Sequence, residues 1–331
     1  GSEMCIRDRT PVEKQNAITV MENAKFGMTG QNKVWLAGNV MMRALLQNDY
    51  ELVKMARDTI ASEIVTGGAE GIKDDWCFHQ HGAQQQFGNY GLSFVSGMSF
   101  FSGLFSGTSL AFDDKQLSIL STLIDKGYRW VIWKGMMDVN ALGRQLFHHA
   151  PVHKALSLAF AASELGGGES DECVAVATAL LRDNYPAPAV NVLTGHKHFW
   201  QSDYTIHRCP SWMASIKMAS DRIIGTEMMN GDNMKGYYMA DGATYIYKDG
   251  KEYLDILPFW DWRKLPGVTA FEDNAPMPLI KSYQPRNKGT FVGAVSDGKQ
   301  GMTVMELDRS GVKAHKAVSY THLTLPTNRE V

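Results

Sequence analysis

The sequence is poor in cysteine, has no excess of charge of either sign and contains no long apolar run. Four cysteines occur among 331 residues and none forms a Cys-x-x-Cys pair, so we expect buried thiols rather than a disulfide framework or a zinc site. The 33 basic and 35 acidic residues give a formal net charge of −2, and this balance favours neither nucleic acid nor a membrane surface as partner. No apolar run reaches the ~18 residues of a membrane span.

Both ends of the chain differ in character from the rest. Residues 1–9 (GSEMCIRDR) and 318–331 (VSYTHLTLPTNREV) resemble translated adapter sequence, so we expect an artefactual leader and an artefactual tail. The chain is then expected to be a fragment of a longer protein whose true start is missing. Under this interpretation the sequence gives no direct information on a signal peptide.

The spacing of apolar residues predicts that the first half is helical. Apolar residues recur at three- and four-residue steps over several segments, and glycines and prolines end them. The predicted helices cover residues 33–47, 50–65, a segment from Asp114 onward, 153–165 and 170–182. We therefore predict a helical domain over residues 10–187.

Beyond about residue 190 the pattern changes towards strands and turns. Residues 212–218 alternate weakly, and residues 243–247 and 252–256 flank Asp249-Gly250, which predicts a hairpin with a type I′ turn. We predict the start of an antiparallel sheet domain over residues 188–317. The predicted fold class is therefore α+β with two domains.

The most informative segment is residues 78–91 (FHQHGAQQQFGNYG), which is polar, rich in glycine and nearly free of charge. It places His81 and Tyr90 nine residues apart. A phenol is a weak base at its ordinary pKa of roughly 10, so it needs a partner to transfer protons near neutral pH. His81 is the nearest partner in sequence; a buried Tyr–His hydrogen bond without catalytic purpose is the alternative.

Four segments together resemble polysaccharide lyase family 8, which includes chondroitin AC and ABC lyases, hyaluronate lyase and xanthan lyase. The family pattern Gln-His, eight residues, Tyr-Gly is present as Gln80-His81 and Tyr90-Gly91, and residues 30–35 (GQNKVW), 138–144 (DVNALGR) and 226–236 (TEMMNGDNMKG) follow the family in order. The resemblance covers most of residues 25–317. It implies an incomplete α/α toroid followed by antiparallel β-sandwich domains, of which the chain holds the end of the first and the start of the second.

The resemblance also implies a β-elimination at a uronate sugar, which has three chemical requirements. The sugar carboxylate must be neutralised, a base must remove the C5 proton, and an acid must protonate the departing O4. Asn32 matches the amide that binds the carboxylate; its alternative role is a helix N-cap. Tyr90 matches the catalytic acid, proposed also as base in many members, and His81 matches its partner.

The other matched positions would orient these groups. Arg144 matches the arginine that contacts the tyrosine, and a nearby cation depresses a phenol's pKa. The second arginine common in the family is replaced here by His148, which departs from the pattern. Glu227 would bond His81 or Arg144, and Asn230 would position Arg144.

The remaining expectations concern binding residues and partners. Trp76, Trp133, Asn230 and His148 are the substrate-binding candidates. The two tryptophans would stack on sugar rings, with core burial as the alternative for each. No metal ligand set and no cofactor are expected, although a structural calcium ion stays open, and the adjacent His148 and His149 are expected to form a surface pair. The expected partner is an acidic polysaccharide, with no nucleic acid and no membrane, and the expected state is a monomer in the periplasm or outside the cell.

The resemblance implies a lyase on chondroitin sulfate or hyaluronan, with two alternatives left open. A glycoside hydrolase on a similar toroid would need two facing carboxylates, for which Asp74, Asp75 and Glu227 are available. A non-catalytic carbohydrate-binding protein is the other alternative.

Overall fold

The computed structural model describes residues 9–166 and 193–320, in which a helical part is followed by antiparallel sheets. The predicted helix at residues 170–182, the predicted boundary at residues 187 and 188, and most of both terminal segments lie outside these residues. The α-helices are α1 Pro11–Met21, α2 Gly30–Gln47, α3 Tyr50–Ala61, α4 Leu92–Phe105, α5 Asp114–Thr122 and α6 Ala150–Gly166. None of the helices in the described residues is long and apolar enough to cross a membrane.

The strands form four antiparallel sheets. Two small sheets pair β1 Gly71–Ile72 with β2 Phe78–His79, and β3 Ile132–Trp133 with β4 Met136–Met137. A four-stranded sheet has the order β5-β6-β7-β8, with β5 Gly195–Phe199, β6 Tyr204–Arg208, β7 Met213–Lys217 and β8 Ala243–Tyr247. A three-stranded sheet places β10 Gly301–Arg309 between β9 Val292–Ser296 and β11 Val312–Tyr320.

Helices α2 and α3 are a pair separated by a sharp turn at Asn48. Asn48 adopts the left-handed conformation (φ 55°), which ends α2, and the Asp49 carboxylate accepts from the Leu52 amide at 3.0 Å, which starts α3. Helix α2 begins at Gly30, three residues earlier than predicted. Asn32 therefore lies in the first turn rather than at the N-cap, and the N-cap interpretation is wrong.

The predicted hairpin around Asp249-Gly250 is also wrong. Residues 243–247 form β8, but their partner is β7, and residues 252–256 form turns. The Glu252 carboxylate instead accepts from the Asp249 and Gly250 amides, at 2.8 and 2.9 Å. This side chain satisfies the turn locally and removes the need for a pairing strand.

The largest core cluster extends from α2 to β8, so the helical part and the four-stranded sheet share apolar contacts. Phe87 stands between them, with ring centroids 5.1 Å from Tyr128 and 5.3 Å from Phe199. Helix α4 was not predicted from the sequence. It is apolar on most sides, so it lacks the polar face that produces an amphipathic period. The segment that follows β2, residues 80–91, is thereby fixed between helices and sheet.

Candidate active site

Residues 80–91 are held at the start of α2 by a glutamine. The Gln80 side-chain oxygen accepts from the Gln31 backbone amide at 2.9 Å. Gly30 has φ +56°, a left-handed conformation that favours glycine, and a Cβ there would displace the end of the Gln80 side chain. The contact brings the first turn of α2, which contains Asn32, beside the His81 segment.

Tyr90 is carried by a π-helical turn, Phe87–Gly91, which we call the Tyr90 turn. This turn packs backbone to backbone against residues 138–144, which we call the Arg144 loop. A Cβ on Gly88 would lie 2.7 Å from two carbonyl oxygens of that loop, those of Ala141 and Leu142. Real Cβ atoms do not approach so closely, so a glycine at this position is what allows the two segments to meet.

The Arg144 loop is in turn anchored to the four-stranded sheet. The buried Asp138 carboxylate accepts from the Tyr247 hydroxyl at 2.6 Å and from the Tyr204 hydroxyl. Burial raises the pKa of Asp138, although these hydroxyls partly oppose the effect. The Asn140 amide donates to Ser215 Oγ at 3.0 Å. These contacts fix the direction in which the loop delivers Arg144.

Glu227 is fully buried and joins the two halves of the site. Its Oε1 accepts from Arg144 Nη1 and from Gln86 Nε2, the latter at 3.0 Å. Its Oε2 lies 2.8 Å from His81 Nδ1. A carboxylate can only accept, so Nδ1 carries a hydrogen and Nε2 of a neutral His81 is left with the free lone pair. Glu227 thus sets the orientation and the tautomer of the imidazole.

Three side chains, those of Arg144, His81 and Trp35, contact Tyr90. Arg144 Nη2 donates to its hydroxyl at 3.5 Å, and the guanidinium carbon lies 5.4 Å from the ring centroid. The His81 ring is edge-on with centroids 4.7 Å apart, and Trp35 packs against the other side at 5.6 Å. A fixed positive charge at this distance favours negative charge on the phenol oxygen.

Two cations in the site respond differently to burial. For Arg144, burial lowers the pKa, but the hydrogen bond to Tyr90 and the charge of Glu227 outweigh it and leave the pKa raised. For Lys154, burial and then the charge of Arg144 lower the pKa to about 8. Lys154 Nζ donates to the Gly88 carbonyl, so it anchors the backbone of the Tyr90 turn.

Four of the five residues predicted as catalytic are linked by contacts, and Asn32 forms no side-chain hydrogen bond with them in the described residues. Glu227 contacts both His81 and Arg144, and both of these contact Tyr90. Asn32 is half-buried, and in the described part of the chain no side chain hydrogen-bonds its amide. It lies one helical turn before Trp35, on the side of α2 that faces Tyr90.

The predicted substrate-binding residues are placed less favourably. Trp133 as a stacking residue is wrong: its side chain is buried and its indole nitrogen donates to the Lys248 carbonyl at 3.2 Å. Trp76 is half-buried and packs on the core. Asn230 is exposed in a turn, and among the described residues it has no hydrogen bond to Arg144. His148 is exposed and contacts Asp255.

Sequence reasoning missed three residues of the site: Trp35, Gln86 and Lys154. Trp35 is about half exposed beside Tyr90, and its position three residues after Asn32 on one helix was the available signal. Gln86 lies within the polar run and is fully buried. Lys154 had no signal, because nothing local distinguishes it from other helical lysines.

Comparisons with known proteins identify the family of the chain. Residues 5–163 match the model of the polysaccharide lyase family 8 N-terminal alpha-helical domain, and residues 194–322 match the family 8 super-sandwich domain. The chain is 31% identical to a chondroitinase-AC of Pedobacter heparinus over 87% of its own length and 41% of the relative's. It is 27% identical to a hyaluronate lyase of Thermasporomyces composti over 73% of its own length and 36% of the relative's.

Solved structures agree as well. A chondroitinase AC lyase structure, determined with oligosaccharides, superposes with a TM-score of 0.80 at 29% identity, over 89% of this chain and 44% of that one. A Paenibacillus xanthan lyase shares the fold with a TM-score of 0.81 at 22% identity, over 95% of this chain and 33% of that one. The chain spans less than half the length of these relatives. With both family domains matched in order and the predicted α+β class confirmed, the chain belongs to polysaccharide lyase family 8.

Proposed function

We propose that the chain carries the catalytic residues of a lyase that cleaves uronate-containing glycosaminoglycans by β-elimination. The observation that supports this best is the buried Glu227 carboxylate, which holds both His81 and Arg144 against Tyr90. This arrangement provides a phenol with a cation and an imidazole in contact. Proton transfer at carbon and oxygen needs these groups, and it does not need a second carboxylate.

In the proposed reaction the Asn32 amide donates to the sugar carboxylate, and this stabilises the negative charge that develops when C5 loses its proton. The free Nε2 of His81 takes the phenol proton, and the resulting imidazolium is paired with Glu227. The Tyr90 phenolate, stabilised by Arg144, then removes the C5 proton. The C5–H electron pair becomes the C4–C5 double bond as the C4–O4 bond breaks, and Tyr90 passes the proton to O4. The His81 imidazolium then returns its proton to the phenolate, which restores the starting state.

The substrate class follows the relatives, and chondroitin sulfate is the first choice. The chondroitinase-AC relative has 31% identity, against 27% and 28% for a hyaluronate lyase and a xanthan lyase. Hyaluronan is the second choice. We further propose that the complete protein acts as a monomer in the periplasm or outside the cell, where such polymers occur.

A glycoside hydrolase has less support from the geometry. Asp74 is exposed, and both Asp75 oxygens accept backbone hydrogen bonds, from Cys77 at 3.0 Å and Gln201 at 2.7 Å. The Glu227 oxygens are occupied by three donors. Every oxygen of Asp75 and Glu227 thus already accepts a hydrogen bond, which does not favour either carboxylate as the free base that a hydrolase needs.

The experiment that tests the proposal compares Tyr90→Phe with wild type on chondroitin sulfate and hyaluronan. Product is followed by the ultraviolet absorbance of the unsaturated uronate. We expect turnover to fall by roughly 10²–10⁴-fold, because the proton carrier is removed. Tyr50→Phe is the matched control and should retain full rate, since Tyr50 is exposed and its hydroxyl hydrogen-bonds Ser109, outside the catalytic cluster.

Three outcomes would contradict the proposal. Unchanged turnover in Tyr90→Phe removes the phenol from the reaction. Products without ultraviolet absorbance indicate a hydrolase. Binding of the polymer without any cleavage by the wild type indicates a non-catalytic binding protein.

A further inference from the structure

A second group of polar side chains lies apart from the catalytic cluster: His148, His149 and Asp255. Their ligand atoms all lie within 4.8 Å of one another, and no other group of three histidine, cysteine or acidic side chains in residues 9–166 and 193–320 does this. In the same residues, none of the three hydrogen-bonds Glu227 or Tyr90. The group therefore needs an explanation of its own.

The two histidines converge although they are consecutive in sequence, where side chains normally diverge. The backbone explains the convergence, because His149 and Asp255 both adopt left-handed conformations, with φ of 57° and 55°. The His149 amide also donates to Asp255 Oδ1 at 3.1 Å. As a result the imidazole centroids of His148 and His149 are only 3.7 Å apart and both Nδ1 atoms face one carboxylate. The two histidines lie at the surface, as expected of a surface pair, but their Nδ1 atoms converge on Asp255 instead of diverging.

The distances suit a small divalent ion. His148 Nδ1 lies 3.0 Å from Asp255 Oδ1, and His149 Nδ1 lies 3.3 Å from Oδ2. Two ligands bound at about 2.0–2.1 Å to a tetrahedral Zn²⁺ are about 3.3 Å apart, so the two histidine–aspartate distances already suit an ion. The two histidine nitrogens lie within 4.8 Å of each other and would move closer together to complete the site. Two imidazoles and one carboxylate also favour Zn²⁺ over Mg²⁺ or Ca²⁺, which prefer oxygen ligands.

We propose that His148, His149 and Asp255 form a zinc site with three protein ligands and a water in the fourth position. The side chains are 73%, 44% and 31% exposed, so an ion can enter from solvent and keep a water ligand. The site joins the residues just before α6 to the turns after β8, which belong to the helical and sheet parts. Because an ion that binds only the folded chain favours it by mass action, Zn²⁺ raises the unfolding temperature. The zinc proposal uses no step of the proposed lyase reaction.

The test measures metal binding by the chelator-treated chain. Zn²⁺ is titrated calorimetrically, and Co²⁺ is added separately to follow the visible absorption of a four-coordinate site. We expect one Zn²⁺ per chain and an increase in unfolding temperature that Mg²⁺ and Ca²⁺ do not give. His148→Ala and Asp255→Asn should each weaken Zn²⁺ affinity at least tenfold and abolish the Co²⁺ absorption. His315→Ala, which removes an exposed histidine from β11, is the matched control and should bind as wild type.

Circular dichroism verifies that each variant is folded, and two different ligand positions are tested so that the failure of one variant does not decide the result. The proposal is overturned if the wild type takes up no stoichiometric Zn²⁺ at 100 µM, on the order of the weakest site we would call specific. It is equally overturned if His148→Ala and Asp255→Asn bind as tightly as the control. Neither result bears on turnover by Tyr90, so the zinc site and the lyase proposal fail separately.

Discussion

Replacing Glu227 by glutamine should sharply lower activity while leaving most of the site's hydrogen bonds intact. The carboxylate accepts from three donors: Arg144 and Gln86 share Oε1, and His81 Nδ1 contacts Oε2. An amide oxygen at Oε1 can still accept from the first two. The amide nitrogen then takes the Oε2 position and donates to His81 Nδ1, which forces the imidazole hydrogen onto Nε2. The lone pair that faces away from Glu227 in the wild type is lost.

The expected magnitudes follow from these contacts. Loss of a correctly protonated imidazole should lower turnover by roughly 10²–10⁴-fold, the usual contribution of one acid–base group. The buried Arg144 also loses its counter-charge. Removing one partner of a buried ion pair costs about 3–5 kcal/mol, and because the amide oxygen still accepts from Arg144 we expect the lower end, about 3 kcal/mol.

Three measurements decide the matter. Turnover is measured from the ultraviolet absorbance of product, stability from denaturant unfolding, and the His81 tautomer from imidazole ¹⁵N chemical shifts. Glu51→Gln, an exposed change in the first turn of α3, is the matched control and should alter none of them appreciably. The reasoning is refuted if Glu227→Gln keeps turnover within about threefold of wild type, or if the His81 hydrogen stays on Nδ1.

Further predictions concern packing and pH. Gly88→Ala should lower turnover more than tenfold, which corresponds to a barrier higher by roughly 1.4 kcal/mol. The added Cβ would push the Tyr90 turn away from the Arg144 loop. Gly103→Ala is the control and should keep full rate, because a Cβ there has nothing within 4 Å; equal rates for the two variants would contradict this. Trp35→Ala should lower kcat/KM several-fold with little loss of stability, and Trp133→Ala should destabilise the chain by about 3–5 kcal/mol, measured by urea unfolding. The pKa of Lys154 is about 8 in the folded state, below its unfolded value, so the folded chain binds fewer protons between about pH 8 and 10. The free energy of unfolding should therefore increase with rising pH across that window, and Lys154→Met should remove the contribution of Lys154 to this increase. Identical slopes of unfolding free energy against pH in wild type and Lys154→Met would refute the prediction.

Local patterns predicted much of the helical part and missed elements whose residues are set by long-range contacts. The helices that begin at Tyr50 and Asp114 were located because an acidic cap and an apolar stripe are both local signals. Residues 212–218 contain β7, as the weak alternation indicated, although all five residues of the strand are buried and do not alternate in burial. The strand that pairs with β8 was predicted wrongly, because pairing depends on which segment packs beside it. The short strands β1 to β4 are too brief to give any pattern.

The sequence by itself determined the family, since four short motifs in order identify it, and it determined which residue types are present for acid–base chemistry. Only the tertiary structure decided how they are used. Glu227 lies 146 residues from His81 and 83 from Arg144, and only the folded chain brings its buried oxygens to both. Tertiary packing also decides that Trp133 is buried. It decides as well that His148 and His149 face one carboxylate, where His149 and Asp255 have left-handed backbone conformations. Residue type is a local property, whereas burial, tautomer and ligand geometry arise from contacts between distant segments.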